Sequence, residues 1–457
     1  MSQSLRSAAT RIVRALRDAG HQAYLVGGCV RDIVLGREPQ DFDVSTDATP
    51  EQVMALFPQT YEVGARFGVV LVPVEHPPAT SEATRDSKLE TPNQVIEVAT
   101  FRSDGLYTDG RHPDQVTYTR DPREDVARRD FTINGLLLDP LEDDKVLDFV
   151  GGRADLEAGI IRAIGEPGRR FAEDKLRMLR AVRFAARFAY SIEPCTLAAI
   201  GEHAREIHKV SRERVRDELV KMLTEGHARR AFELLDTTGL LAEVLPEVAA
   251  MKGVAQPPQF HPEGDVWVHT LMLLEGLKPG CSPTLALGAL LHDVGKPPTF
   301  RVAPDRIRFD GHAEVGTKMA EEICRRFRFS NDQTEQVCAL VANHLRFIDV
   351  PRMKQSTLKR FLRLPQFEEH LELHRLDCLA SHGDLSVYEL VKQKLVSTPP
   401  EQIRPKPLLT GDDLIAAGYV PSPRFKEILR AVEDAQLEGT LADKPQALEF
   451  VRRTFPP

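Results

Sequence analysis

The sequence predicts an α+β protein in which a small N-terminal α/β head precedes a long helical remainder. An apolar run ending at Gly27 and Gly28 is followed by helical spacing, which is typical of a strand, a tight turn and a helix. Two runs rich in β-branched residues, 68–74 and 95–101, predict further strands in the head. From about His227 the composition changes to longer Leu/Ala-rich helical segments separated by proline-rich linkers. We therefore expect a mixed head and an all-helical body.

Length and composition are those of an ordinary globular chain. The 457 residues suggest about three domains, and 42% hydrophobic with 28% charged residues is usual for such proteins. The longest apolar stretch, 285–291, is far too short to span a bilayer, and the N-terminal residues lack the apolar core of a signal peptide. The six cysteines form no C-x-x-C pair, which disfavours a structural zinc site and a disulfide framework. These observations predict a cytoplasmic protein that does not enter a membrane.

The charge of the chain excludes one class of nucleic-acid binder and permits another. A net charge of −8 argues against a protein that coats nucleic acid, because such affinity comes from neutralising phosphates. The segment 162–187 nevertheless contains eight basic residues against three acidic ones. This concentrated positive field suits a polyanion that is held at one place.

The stretch 24–44 carries the first candidate site residues. The glycine turn lets backbone N–H groups approach an anion, and with Arg31 one turn into the next helix, Gly28 makes a candidate triphosphate cradle. Asp41 and Asp43 follow on a predicted strand, where residues two apart share one face. Two converging carboxylates are what Mg²⁺ needs when it also holds nucleotide phosphates. Alone, an Asp-x-Asp is most often a solvated turn, but in this order the two features are a strong signal.

Two further segments of the head carry polar residues beside apolar ones. Glu97 lies on the predicted strand 95–101 and could supply a third carboxylate near the metals, although a structural ion pair is about equally consistent with its position. Arg129, Asp130 and Asn134 lie in the segment R-R-D-F-T-I-N, whose charged beginning precedes an apolar continuation. Both segments add candidate site residues to the head.

The segment 169–188 predicts one long amphipathic helix. Its apolar residues form a core-facing side, and its polar strip consists of Asp174, Arg177, Arg180 and Arg183. Because Arg donates in a planar fork and Asp accepts, Asp174 and Arg177 can read the Watson–Crick edge of a base without a nucleic-acid template. In isolation such a strip is more often a solvated, salt-bridged face. Its position after the two earlier motifs favours nucleotide reading.

These three motifs, in this order, resemble the signature of the polymerase-β-like nucleotidyltransferases, specifically the tRNA CCA-adding enzymes and their poly(A) polymerase relatives. The resemblance implies a polymerase-β-like head that adds C, C and A to tRNA 3′ ends from CTP and ATP by two-metal nucleotidyl transfer. One departure is Gly135, where the family usually has Ala, and both residues are small. The segment 101–116, with Tyr107, Arg111 and His112, resembles the flexible loop that accompanies the switch to ATP, which favours addition of the terminal A.

The roles that the resemblance implies fall into three sets. The catalytic set, which would hold Mg²⁺, is Asp41 and Asp43, with Glu97 as the third candidate. The set on the triphosphate and its turn is Gly28, Arg31, Arg129, Asp130 and Asn134. The set that selects C or A and shapes the base pocket is Asp174, Arg177, Arg180 and Arg183.

A second candidate metal site lies in the helical body. His292 and Asp293 end a buried helical segment, which is a costly place for two polar groups unless they bind something. The ordered set H…HD…H…H…D resembles the HD superfamily of metal-dependent phosphohydrolases. That resemblance implies a divalent transition metal whose ligands are His269, His292, Asp293 and Asp377, with His312 and His344 available for a second ion. The site either hydrolyses phosphoesters through a metal-bound water or only stabilises the fold.

The predicted organisation is a series of four domains. They are a catalytic head, a helical neck for nucleotide selection and RNA binding, an HD-type domain and a helical tail: 1–152, 153–226, 227–400 and 401–457. The tail either touches tRNA or closes the body, and the polar insert 75–94 is predicted to be a loop. The expected partners are tRNA, ATP and CTP.

Three alternatives stay open at this point. A poly(A) polymerase, or a CC-only or A-only tRNA nucleotidyltransferase, shares the same catalytic residues. A nucleotide-signalling enzyme also joins a nucleotidyltransferase to an HD domain, although the second and third motifs fit RNA-primed polymerases better. From another class, the chain could be an HD phosphohydrolase whose N-terminal half only binds RNA.

Overall fold

The computed structural model describes residues 2–62, 68–74, 95–104, 116–258, 261–262, 264–304 and 306–456. The chain divides into two compact units. The N-terminal unit comprises Met1–Met222 and Arg230–Val244, and the C-terminal unit comprises Leu223–Arg229 and Leu245–Pro457. The predicted insert 75–94 and most of the predicted loop, including Tyr107, Arg111 and His112, lie outside the described residues.

A seven-stranded sheet forms the centre of the N-terminal unit. Its strands lie in the order β3-β4-β5-β2-β1-β8-β9. The β2–β5 pair is parallel, and the other neighbours are antiparallel. The strands of this unit, with the two-stranded pairs β6–β7 and β10–β11, are β1 Ala23–Val26, β2 Asp43–Thr46, β3 Tyr61–Glu62, β4 Val69–Pro73, β5 Val95–Thr100, β6 Arg102–Asp104, β7 Val116–Tyr118, β8 Leu136–Asp139, β9 Lys145–Asp148, β10 Ile160–Ile161 and β11 Ser191–Ile192.

Helices cover the sheet and continue the N-terminal unit beyond it. They are α1 Ser2–Asp18, α2 Gly28–Val34, α3 Pro50–Leu56, α4 Pro122–Ala127, α5 Gly152–Ala158, α6 Pro167–Glu173, α7 Leu176–Phe188, α8 Pro194–His203, α9 Arg212–Thr224, α10 Ala228–Thr237 and α11 Leu240–Val244, with 3₁₀ turns at Thr132–Asn134 and Ala204–Lys209. Helix α3 begins after Thr49, because the Thr49 side chain accepts the Gln52 N–H in a capping box and Pro50 has no N–H that would need an acceptor. Helix α9 ends in the C-terminal unit.

The predicted helix over 169–188 is two helices. Asp174 has extended backbone angles between α6 and α7, and its carboxylate accepts the Leu176 N–H at 3.0 Å. An aspartate side chain that bonds a nearby backbone N–H competes with helical hydrogen bonding, so it ends one helix and begins another. Asp174 therefore lies at a corner rather than along a continuous helix face.

The C-terminal unit is built almost entirely from helices. They are α12 Pro246–Ala249, α13 Val266–Glu275, α14 Pro283–Leu291, α15 Lys296–Thr299, α16 His312–Arg326, α17 Asn331–Asn343, α18 Gln355–Leu362, α19 Phe367–Ala380, α20 Ser386–Ser397, α21 Pro400–Ile403, α22 Gly411–Ala416, α23 Arg424–Leu437 and α24 Lys444–Thr454. A 3₁₀ segment covers His344–Arg352, and Arg301–Val302 with Ile307–Arg308 form the hairpin β12–β13. Helix α14 is buried along almost its whole length, as its apolar sequence predicts.

Ion pairs join the last helices of the C-terminal unit to the rest of that unit. Arg360 of α18 pairs with Glu433 of α23 at 2.7 Å and also with Asp434, so the C-terminal helices dock on the rest of the unit. Among the helices of the described residues, none combines the length and apolar content that crossing a bilayer requires.

Candidate functional site

Three carboxylates of the head converge at one end of the sheet. Asp43 is the first residue of β2 and lies in register with Glu97 of β5, while Asp41 precedes the strand in an exposed position. Burial, the nearby Glu97 and the nearby Asp41 raise the pKa of Asp43 to about 7, although Arg129 opposes this shift. Burial also raises the pKa of Glu97, against the effect of Arg129. Like charges that raise one another's pKa are electrostatically suited to a cation.

One predicted detail of this group is wrong. Asp41 and Asp43 were expected on one strand, but β2 begins at Asp43. The two carboxylates still affect each other because the chain enters the strand directly after Asp41, with Phe42 buried between them. Convergence here depends on the end of the strand as well as on the two-residue repeat.

The glycine turn and Arg129 lie next to these carboxylates. Gly27 has a φ of 77°, which glycine adopts without strain, and it precedes α2. A Cβ at Gly27 would lie 3.5 Å from Nη1 of Arg129. Arg129 is thus within electrostatic reach of Asp43 and Glu97 on one side and close to the turn on the other.

Arg31 lies beside Gly28, since a Cβ at Gly28 would be 3.6 Å from Arg31 Nη2, and it also has partners within the fold. Its side chain is buried, and it donates to Asn134 Oδ1 at 2.8 Å and to Asp32 at 2.9 Å. The guanidinium also lies 4.7 Å from the ring centre of Phe188. Arg31 therefore connects α2 to the R-R-D-F-T-I-N segment and to α7, while Arg129 is the arginine that faces the carboxylates.

Asp130 joins this segment to α7. Its carboxylate accepts hydrogen bonds from Asn134 Nδ2 at 3.0 Å and from Arg180 Nη2 at 2.6 Å. Burial opposes ionisation, but Arg180 and Asn134 outweigh it and hold the pKa of Asp130 at about 2. Asp130 is therefore an anion that links Asn134 of its own segment to Arg180 of α7.

The remaining polar residues of α6 and α7 are each paired. Asp174 accepts Arg214 Nη2 of α9 at 2.8 Å, and Arg177 donates to Glu173 at 2.9 Å and to the carbonyl of Arg128 at 2.9 Å. Arg183 donates to Glu218 of α9 at 2.6 Å. The strip is thus held by α6, α9 and the head, and it is not a solvated face.

Sequence reasoning missed two residues of this site. Asp125, fully buried on α4, pairs with both Arg128 and Arg129. Its position four residues before Arg129 on a helical segment was the available signal. Arg214, the partner of Asp174, lies forty residues later in the chain, and no local pattern reveals that pairing.

The ligand-bearing side chains of the C-terminal unit meet in one buried cluster. The side chains form two groups, and within each group the possible ligand atoms all lie within 4.8 Å of one another. The first group is His269, His292 and Asp377, and the second is Asp293, His312 and His344. The sequence places Asp293 only with the first group. In the structure Asp293 lies between the two, with Oδ2 3.2 Å from His292 Nε2 and Oδ1 3.5 Å from His312 Nε2.

Backbone carbonyls orient three of these histidines. The Nδ1 atom of His292 lies 3.0 Å from the carbonyl oxygen of Ala289. The corresponding distances are 2.9 Å from His312 Nδ1 to the Phe309 carbonyl and 2.7 Å from His344 Nδ1 to the Val341 carbonyl. An Nδ1–H that donates to a carbonyl leaves the Nε2 lone pair pointing inward, which is the arrangement of a metal ligand.

The buried carboxylate of Asp293, at the centre of the cluster, favours a bound cation. Two pairs of Nε2 atoms, His269 with His292 and His312 with His344, approach to 3.3 Å. Both oxygens of Asp293 are buried, and Oδ2 forms an ion pair with Lys296 Nζ at 2.6 Å. Among the described residues, Oδ1 has no hydrogen-bond partner. Burial lowers the pKa of His344 to about 4, so its imidazole is neutral near pH 7. Neutral imidazoles around an ionised carboxylate fit a divalent metal.

A cavity of about 840 Å³ opens beside this cluster. Its lining includes His312, His344 and Asp377, together with apolar Phe309 and Ile348. This volume is in the range of small-molecule sites in proteins. The cluster is therefore reachable by a ligand.

Comparison with known proteins identifies the family. Three family models match consecutive parts of the chain: a poly A polymerase head domain at residues 23–162, a probable RNA and SrmB-binding site of polymerase A at 189–252, and an HD domain at 266–393. The CCA-adding enzyme of Levilactobacillus brevis is 42% identical over 438 residues, which are 96% of this chain and 95% of the relative. The chain belongs to the CCA-adding enzyme family.

Solved structures agree with this membership. The Bacillus stearothermophilus CCA-adding enzyme in complex with CTP is 26% identical, with a TM-score of 0.73 over 98% of each chain. The Thermotoga maritima CCA-adding enzyme complexed with tRNA is 18% identical, covers 98% of this chain and 95% of that chain at a TM-score of 0.57, and shares the fold. The predicted family, fold class and HD domain are confirmed, and the chain is a nucleotidyltransferase. Membership also implies that its activity depends on a divalent metal.

Proposed function

We propose that this protein adds C, C and A to the 3′ ends of tRNA from CTP and ATP at the site in its head. The observation that carries the proposal is the convergence of Asp41, Asp43 and Glu97 next to Arg129 and the glycine turn. The carboxylates suit the metal ions of a bound nucleotide, and Arg129 with the glycine turn suits its triphosphate. The CCA-adding enzyme that matches 96% of this chain and the solved complex of another CCA-adding enzyme with tRNA support the choice of tRNA as the primer.

The proposed metal at the head is Mg²⁺ on Asp41 and Asp43, with Glu97 in reach. All three donors are carboxylates, and hard oxygen ligands suit Mg²⁺. When bound, the ions supply charge for the nucleotide phosphates and acidify the attacking 3′ hydroxyl. The mutual repulsion of these carboxylates is the feature of the protein that fits such ions.

The proposed triphosphate site consists of Gly28, Arg129 and the start of α2. Arg129 presents its guanidinium beside Gly27, where a fork of donors suits phosphate oxygens. Arg31 also belongs to the proposed site, because its Nη2 would lie 3.6 Å from a Cβ at Gly28 while Nη1 and Nε donate to Asn134 and Asp32. In this proposal Arg31 contributes positive field and fixes α2, and Asp130 with Asn134 fixes the turn.

The proposed base reader is Asp174 with Arg177. Arg214 holds Asp174 at the corner between α6 and α7, and Glu173 holds Arg177. A reader fixed by two ion pairs and by a hydrogen bond from Arg177 to the carbonyl of Arg128 presents a defined set of donors and acceptors, which selection without a template requires. Arg180 and Arg183 shape the pocket through their pairs with Asp130 and Glu218.

We also retain the proposed domain division and location. The proposed order is a head, a neck, an HD-type domain and a tail, at 1–152, 153–226, 227–400 and 401–457. The order of the three matched family models supports it.

All six cysteines are free, which favours a reducing compartment such as the cytoplasm.

Primer extension tests the proposal. A tRNA transcript that lacks its 3′ CCA is incubated with Mg²⁺ and with CTP alone, ATP alone or both. The expected products end at CC with CTP and at CCA with both nucleotides. Long A tails from ATP alone would identify a poly(A) polymerase instead, and no incorporation would leave the head as an RNA-binding half of an HD phosphohydrolase.

A second candidate function belongs to the HD cluster. The two groups of inward-facing ligands and the adjoining cavity support a divalent transition metal site that hydrolyses phosphoesters. His269, His292, Asp293 and Asp377 would hold one ion, and His312 and His344, with Asp293 between them, a second. Hydrolysis of p-nitrophenyl phosphate with added Mn²⁺, Co²⁺ or Ni²⁺ tests this, and no turnover with any of them would leave the site a structural one.

A further inference from the structure

Asp125 is a fully buried carboxylate directly behind the proposed triphosphate site. Its two oxygens accept five hydrogen bonds, and the donors are the Ser45 hydroxyl at 3.1 Å, the Arg102 N–H at 3.4 Å, Arg128 Nε and Nη2 at 2.9 and 2.7 Å, and Arg129 Nη2 at 3.1 Å. Burial opposes ionisation, but Arg129 and Arg128 outweigh it and lower the pKa of Asp125. The carboxylate is therefore an anion inside the protein, where its partners determine its effect.

The two carboxylate oxygens of Asp125 bind different donors. Oδ1 accepts both Arg128 donors and the backbone N–H of Arg102. Oδ2 accepts only the Ser45 hydroxyl and Arg129 Nη2 among the described residues. Ser45 lies two residues after Asp43 on β2, so Oδ2 connects the strand that begins with Asp43 to the arginine that faces it.

Arg129 depends on this contact for its position. Its Nε is buried and has no hydrogen-bond partner in the described structure, while Nη1 points to the glycine turn. An arginine side chain has large rotamer freedom, which a charge-assisted hydrogen bond at one end of the fork removes. With Nη2 held by Asp125, Nη1 stays available beside Gly27.

We propose that Asp125 is a positioning residue that aims the guanidinium of Arg129 at the nucleotide triphosphate. The inference rests on the proposed function, which gives the triphosphate its place between Asp43 and the glycine turn. Asp125 itself does not touch the nucleotide. Its role is to fix one donor edge of Arg129 before the substrate arrives, which lowers the entropic cost of binding.

The variant Asp125→Asn tests the proposal because it keeps the shape of the side chain and removes its charge. We expect the KM for CTP and for ATP to rise about 10-fold or more, the effect of losing one charge-assisted hydrogen bond, while kcat changes much less. The matched control is Asp139→Asn, which removes an equally buried aspartate that pairs with Arg17 in the same unit. The control is expected to lose stability without a change in KM.

A double-mutant cycle separates positioning from a general structural effect. If Asp125 acts through Arg129, adding Asp125→Asn to Arg129→Ala raises the KM no further. An additional 10-fold rise in that background, or an unchanged KM in Asp125→Asn alone, would overturn the proposal. Should Asp125→Asn fail to fold, Arg129→Lys replaces it, because one ammonium cannot serve both Asp125 and the phosphate; an unchanged KM in Arg129→Lys would be equally decisive. A wild-type enzyme that adds no nucleotide would instead reject the proposed function.

Discussion

The head and the C-terminal unit each contain a candidate metal site, and the two are built in opposite ways. The head offers three carboxylates at a sheet end, with Asp41 exposed and Asp43 partly buried. The HD cluster offers four histidines and two aspartates with nearly all members buried and their ligand atoms within 4.8 Å in each group. The three head carboxylates do not form a group this tight among the described residues. The proposed HD site thus has its candidate ligands already gathered in the folded protein, whereas the proposed head site would gain its remaining ligands from the phosphates of a nucleotide.

The largest effect is expected from a substitution that disables only the site in the head. Asp43→Asn should lower single-turnover CMP incorporation roughly 100- to 1000-fold, because the site loses a negatively charged ligand of the proposed Mg²⁺. Metal bound at the HD cluster should not change. The control is Asp144→Asn, an exposed aspartate that pairs with Arg6. Quench-flow with radiolabelled CTP measures the rate, and a variant within a few-fold of the wild type would remove Asp43 from the catalytic set.

The corresponding variant of the HD cluster should leave nucleotide addition intact. His292→Ala removes a buried Nε2 ligand, so the affinity for a divalent transition metal should fall more than about 10-fold. His208→Ala, an exposed histidine that pairs with Glu243, is the matched control. Metal content by mass spectrometry after dialysis checks this, and a full metal complement in His292→Ala would show that the cluster is not the binding site.

A smaller effect concerns selectivity in the head. Asp174→Ala should reduce discrimination between correct and incorrect nucleotides roughly 10- to 100-fold, the value of one good pair of hydrogen bonds to a base. Arg214→Lys should act in the same direction but less, because an ammonium holds Asp174 through one contact instead of a fork. The ratio of kcat/KM for CTP and UTP measures this. An unchanged ratio in both variants would mean that other residues read the base.

The smallest effect uses a histidine of the C-terminal unit outside the ligand groups. His370 is 1% exposed, and neither of its ring nitrogens has a hydrogen-bond partner in the part of the chain that the structure describes. Burial, followed by the charge of Arg346, lowers its pKa to about 4. Because the unfolded pKa is about 6.5, the unfolded state binds the proton first as the pH falls. Stability from this group is complete above about pH 6.5 and is lost toward pH 4, by about 1 kcal/mol between pH 7 and 5.5.

Thermal unfolding across this pH range tests that sign. The variant His370→Phe keeps a ring and removes the titrating group, so its unfolding should depend less on pH than that of the wild type. A variant with the same or a steeper loss of stability toward pH 5.5 would contradict the account.

The contrast between the two sites also explains what the sequence could predict. Four of the six candidate ligands of the HD cluster lie at helix ends, and His269 and Asp377 lie within α13 and α19. It is their order along the chain that identifies them, and local order also identifies the strand, glycine turn and helix at 23–34. The break at Asp174 was missed because helical periodicity continues on both sides of it. The inward position of Arg31 and the pairing of Asp174 with Arg214 depend on tertiary packing, which local patterns do not record.

The central claim is that the head builds a defined CCA end without a nucleic-acid template. The most direct measurement gives the enzyme a tRNA ending in CC, Mg²⁺ and ATP, and determines the length of the product at single-nucleotide resolution. The account predicts one added A and then arrest. A product that grows by many A residues would contradict it, because the proposed base reader and its pocket would then not stop addition after the terminal A.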